Sequence, residues 1–211
     1  MKKVIFSLLL AVLFAGSCFA EVLMTAPGQG PDNMAWQLFE SNTPMRSVNG
    51  NTTIFGPKFI IGLYNDVDLI AKAGSVSTNV DGTVTAASEI GLGIKSTIPK
   101  SIVDAPFDLA VVFNNDSISG KDFRQDMSYI GFLCSKSIRD YLDMYWALYS
   151  VQDTSTVFGA RSATSFDTMW GFGYKYRWGE TGSSILTEVL NLVMSGDTYT
   201  TFCFAFQRDL L

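Results

Sequence analysis

Residues 166–178 of this 211-residue chain read FDTMWGFGYKYRW, and no other stretch limits the possible folds as sharply. One set of alternate positions holds Phe166, Thr168, Trp170, Phe172, Tyr174, Tyr176 and Trp178; the interleaved set holds Asp167, Met169, Gly171, Gly173, Lys175 and Arg177. A period of two belongs to a β-strand with unlike faces, because successive side chains point to opposite sides. The run exceeds the ~5–6 residues of an average soluble strand, and it is long enough for the ~9–11 tilted residues that cross a bilayer. The glycines say which face is inward. On a solvated outer surface Gly171 and Gly173 would only weaken the strand; inside a narrow barrel they make room for neighbouring side chains. The large aromatics then face lipid and its interfaces, where Trp and Tyr collect.

The rest of the chain repeats this pattern. Strands are expected at 34–41, 52–64, 67–77, 83–98, 107–117, 127–138, 141–151, 166–178, 183–194 and 198–207. The first alternates poorly, so a short helix is an alternative there, and 127–138 has mixed facing. Turn residues punctuate the runs at Asn49-Gly50, Asn65-Asp66, Asp81-Gly82, Arg139-Asp140 and Gly196-Asp197, each able to adopt tight or left-handed backbone. Longer polar connections at 42–51, 118–126 and the Ser/Thr-rich 152–165 alternate with short ones, as short periplasmic turns alternate with longer outer loops in membrane barrels. The pattern predicts an all-β, antiparallel up-and-down transmembrane β-barrel of about ten strands, with eight as the second choice. The Gly/Pro-rich stretch 21–33 reads as a flexible lead-in.

Ahead of it, Lys2 and Lys3, an apolar run at 4–14 and small residues up to Ala20 make an export signal over 1–20, too short to span a bilayer as a helix. Cys18 behind Ala15, Gly16 and Ser17 leaves a lipoprotein signal as an alternative. Residues 21–211 are then one barrel domain, and none of their segments has the ~20 unbroken apolar residues of a membrane helix. Without Lys2 and Lys3 the balance is 13 basic to 20 acidic residues, which argues against nucleic acid and anionic lipid surfaces as partners. Cys134 and Cys203 read as small apolar strand residues rather than a disulfide.

On the inward face the alternation places Lys58, Lys72, Lys95, Lys175 and Arg177 with Asp68, Glu89, Asp108, Asp143 and Glu188. Five charges of each sign can neutralise one another, and buried charges persist only when paired and hydrogen-bonded. On the outward face Trp146, Trp170, Phe172, Tyr174, Tyr176, Trp178, Phe202, Phe204 and Phe206 form a lipid-facing aromatic band. The chain has no histidine, which excludes imidazole-dependent catalysis and imidazole-based metal sites. Gly91-Leu92-Gly93 and Gly171-Phe172-Gly173 lie within strands, not before helices, so they are not phosphate loops. No catalytic, cofactor or metal site is expected.

Two stretches, FIIGLYNDVDLIAKAG at 59–74 and GFGYKYRW at 171–178, resemble barrel strands of the small outer-membrane β-barrel proteins of Gram-negative bacteria, the OmpA-like barrel superfamily. With the export signal and the closing Phe202, Phe204 and Phe206, the resemblance covers nearly all of the mature chain and is architectural. It implies an outer-membrane location, with membrane lipid and the outer-membrane assembly machinery as partners. It also implies a non-enzymatic structural or surface-interaction role carried by extracellular loops, whose partner is unidentified. Such proteins usually end on an aromatic residue; here the chain runs on through Arg208-Asp209-Leu210-Leu211. Two other functions compete. One is a narrow channel or transport conduit, although open aqueous channels belong to barrels of ~16–18 strands. The other is a soluble periplasmic lipocalin-like binding protein with the aromatic face inside.

Overall fold

The computed structural model describes residues 24–45, 49–157, 163–178, 182–194 and 197–210. The expected export signal with Cys18, the centre of the connection at 152–165 and Gly196 lie outside the described residues. Ten strands follow in order: β1 (Met34–Met45), β2 (Gly50–Tyr64), β3 (Val67–Val80), β4 (Thr83–Ile98), β5 (Asp108–Gly120), β6 (Phe123–Arg139), β7 (Leu142–Val157), β8 (Ala163–Trp178), β9 (Ser183–Met194) and β10 (Asp197–Leu210). Each pairs antiparallel with its chain neighbours, and β1 pairs with β10 to close the barrel. Closure leaves no sheet edge within the wall, which a bilayer demands because it offers backbone groups no water.

We call the end where β1 begins and β10 finishes the terminal end, and the other the open end. A line of direct backbone partners starting at Lys58 passes through Lys72, Gly91, Asp116, Met127 and Asp153 to Ser165. It begins well down β2 and finishes near the top of β8, so the strands are steeply tilted, as barrel closure requires.

Alternation fixes the faces throughout. β1 is a full strand, with Ala35, Gln37, Phe39, Ser41, Thr43 and Met45 buried. The mixed facing read in 127–138 resolves in β6, where Met127, Tyr129, Leu133 and Ser135 point in and Ile130 and Phe132 point out. Cys134 lies on the outer face and Cys203 on the inner, both as free thiols.

Two features differ from the sequence reading. At the open end the strands run further than alternation suggested, so most of 118–126 and 152–165 is paired strand. Ser119 pairs with Arg124 and leaves Lys121-Asp122 as the turn, while Gln152 to Ser155 pair with Phe166 to Ala163. These extensions are rich in Ser and Thr, β-branched or small, and they bond across strands, as Thr154 does to Thr164 at 3.2 Å. Their polarity records emergence from the apolar band rather than loss of strand. At Asp81 (φ 49°) and Gly82 (φ 82°) two successive left-handed residues make the tight hairpin that lets β3 and β4 stay paired to their tips. The second difference is at the terminal end, where residues 24–33 fold into the lumen instead of trailing away, with Met24 and Ala26 buried.

Candidate functional site in the barrel lumen

Because the wall alternates, half of its side chains converge on the axis, and the tilt brings charges from distant strands together. Lys72 on β3 is the central case: its ammonium lies 2.8 Å from Glu89 on β4 and 2.9 Å from Asp116 on β5. Tyr129 of β6 donates its hydroxyl proton to Asp116 at 2.7 Å and accepts from Asn114 at 3.0 Å. Two glycines leave space for this cluster. A Cβ on Gly91 would strike Lys72 and Asp116, and one on Gly93 would strike Asn114. On β8 a Cβ on Gly171 would meet Leu190, and one on Gly173 would meet the Tyr145 ring.

A second cluster lies toward the terminal end. Lys95 of β4 is 2.9 Å from Asp68 of β3, both almost wholly buried. Lys95 also donates to the carbonyls of Thr25 (3.0 Å) and Pro27 (2.9 Å), and Thr97 donates to Ala26 O at 2.8 Å. The Ala26 N–H donates to Ser135 Oγ at 3.1 Å, and the Gln29 N–H to Asp68 at 3.0 Å. The 24–33 segment is therefore a cap on this end of the lumen.

A third pair stands at the terminal rim. Arg177 of β8 reaches Asp143 of β7 with both terminal nitrogens, one at 2.8 Å, a bidentate geometry; Ser137 also donates to Asp143 at 2.6 Å. Lys175, one inward step above Arg177, is buried and feels the charges of Asp209, Arg177 and Asp143. Lys58 is buried on β2 with its ammonium 6.0 Å from the centre of the Phe39 ring. Glu188 is buried on β9.

Asp108 needs a correction. It has inward parity but sits at the mouth of β5, where its described partner is Lys100 of the 99–107 connection at 3.2 Å, an ion pair open to solvent. It belongs to the rim, because the strand begins there. The alternation alone does not single out Asp116 or Tyr129. Asp116 shares the inward parity of Asp108, Ala110, Val112 and Asn114 on β5. Tyr129 was hidden because β6 has apolar residues on both faces.

Toward the open end the lumen lining turns mostly to hydroxyl and amide groups. Thr43 meets Thr201 at 2.7 Å, Thr52 meets Thr78 at 3.1 Å, and Gln125 donates to Asp153 at 3.0 Å. Tyr129, Tyr145, Tyr149, Phe39 and Ile60, among the largest fully buried side chains, also point into the lumen. The outer surface is the reverse. Trp146, Trp170, Phe172, Tyr174, Tyr176, Trp178, Phe202 and Phe204 are all exposed, and Phe206 packs partly against Trp36 and Trp178. From Trp170 to Trp178 the band covers eight steps of ~3.3 Å, which a tilt of ~40° reduces to about 20 Å, near the ~25 Å apolar band of membrane barrels. This is a membrane β-barrel, with apolar side chains outward and charges inward; a lipocalin-like interior of aromatics is not what the chain adopts.

No family model and no curated protein matches this sequence. Among solved structures it is similar to the N-terminal β-barrel domain of OprF from Pseudomonas aeruginosa, at 10% identity over 86% of this chain and 99% of that one, with a TM-score of 0.37. It is similar also to Ail, the attachment invasion locus protein of Yersinia pestis, at 10% identity over 86% and 99%, TM-score 0.38. A loop-deletion form of OmpT, an outer membrane protein of Vibrio cholerae, aligns at 13% identity over 84% and 62%, TM-score 0.38.

Proposed function

We propose that this chain is a non-enzymatic, non-conducting barrel of a Gram-negative outer membrane, exported with a cleaved signal, whose lumen charges hold the wall together. Its working surface is the open-end rim. The single observation that carries this reading is the filling of the lumen: the Lys72–Glu89–Asp116 cluster, three buried tyrosines and the 24–33 cap occupy the space an aqueous path would need. The rim extends paired strands beyond the apolar band and lines them with Ser and Thr, so among the described residues a partner would meet paired β-ribbons. Membrane lipid and the outer-membrane assembly machinery are the partners this role needs.

Purified protein in planar bilayers should add no discrete conductance steps; regular steps would favour the channel reading instead. Sidedness is tested in a background with Cys134→Ala and Cys203→Ala. Lys121→Cys, in an open-end turn, should react with a membrane-impermeant maleimide on intact cells. Asp140→Cys, in a terminal-end turn, should react only after the outer membrane is opened. The reverse order would place the rim on the wrong side of the membrane.

A further inference from the structure

The cap at the terminal end is held in an unusual way for a packed chain end. Among the described residues six hydrogen bonds join it to the barrel, and all six use its backbone: Thr25 O and Pro27 O with Lys95, Ala26 O with Thr97, the Ala26 N–H with Ser135, the Gln29 N–H with Asp68, and Asn33 O with the Gly62 N–H. The receiving groups are side chains of three strands plus one strand N–H, and they lie ready-made on the wall. Lys95 has three donors; Asp68 takes one, and carbonyls of the cap take the others.

Space is shaped for the backbone as well. Gly62 points into the lumen from β2, and a Cβ there would run into the Gly30 carbonyl; Gly30 itself has φ 82°. A Cβ on Gly28 would come within 3.1 Å of Asn65 O. Where its backbone passes Gly62 and Asn65 the occupant must therefore be small, while Met24, 2% exposed, is its one large buried side chain.

We propose that this vestibule, formed by Gly62, Asp68, Lys95, Thr97 and Ser135, is a binding site for a short peptide of mostly small residues that begins with an apolar side chain. Residues 24–30 are its resident occupant, tethered in cis. The site is independent of the role assigned to the rim. Emptying it leaves the Lys72 cluster and the tyrosines in the lumen, so conductance and peptide exchange are read separately.

The exposed stretch 31–33 lets the tether be cut in the folded protein. A specific protease site is built into Pro31 and Asp32 of the full chain, the barrel is assembled in detergent, and the site is cleaved. The released fragment should stay with the barrel on gel filtration. A fluorescent synthetic peptide MTAPGQG should replace it saturably and should not bind the uncut protein. Gly62→Leu should weaken this exchange at least tenfold in barrels that still change mobility on boiling. If Gly62→Leu does not assemble, the pair Thr97→Val with Ser135→Ala serves the same purpose. Loss of the fragment with no rebinding of MTAPGQG, or equal binding by cut and uncut protein, overturns the proposal.

Discussion

The two halves of the lumen solve the same problem differently. Toward the terminal end and centre, inward polar groups are charged and compensated: Lys72 by Glu89 and Asp116, Lys95 by Asp68 and the cap, Arg177 by Asp143. Toward the open end they are mostly neutral, with Thr43 on Thr201 and Thr52 on Thr78, and among the described residues the carboxylates there are Asp153, held by Gln125, and Asp167, held by Ser165. A charge far from water is costly alone and persists through its partners, whereas paired hydroxyls ask little of their surroundings. The contrast teaches that stability should be concentrated at the ion clusters, with the open-end strands tolerant of change.

The largest effect should come from Lys72→Met, which removes the cation that Glu89 and Asp116 share. Removing one partner of a buried ion pair costs about 3–5 kcal/mol, measurable by urea unfolding in lipid vesicles; a loss below about 1 kcal/mol would mean the cluster is solvated. Next, Phe172→Arg on the outer band should cost about 2–4 kcal/mol in the same assay, by the depth-dependent penalty for a lipid-facing Arg. Gln152→Arg, on the same outer face beyond the band, should cost almost nothing. Gly173→Ala should then cost about 1–3 kcal/mol, because its methyl meets the Tyr145 ring and overpacks the interior. The smallest effect is assigned to the open half: Thr43→Val should lose about 1 kcal/mol for one neutral hydrogen bond. If Thr43→Val proved as costly as Lys72→Met, the two halves would not differ.

Much of this was legible in the sequence, because a period of two translates directly into faces. Residues 166–178 gave the inner and outer sets of β8, and the inward glycines there stand against Leu190 and Tyr145. What alternation could not give was position along the tilted wall. Asp108 and Asp68 share inward parity, yet one sits at a solvated mouth and the other in a buried pair, a difference set by stagger between strands. Hydroxyl-rich 152–157 looked like loop because Ser and Thr serve both turns and exposed strands. The cap was illegible for a different reason. Its Gly and Pro residues signal irregular backbone, and only the lumen around Gly62 and Lys95 gives that irregular chain a fixed place.

The central claim is that pairing inside the lumen, rather than charge itself, holds this barrel. A double-mutant cycle on Asp68→Leu and Lys95→Met tests it, read as unfolding free energy in vesicles. Each single change strands a buried charge and should destabilise the barrel by about 3–5 kcal/mol. The double variant removes both charges and should be more stable than either single one, giving a coupling well above the ~0.5 kcal/mol scatter of independent sites. A double variant as unstable as the sum of the singles would contradict the claim.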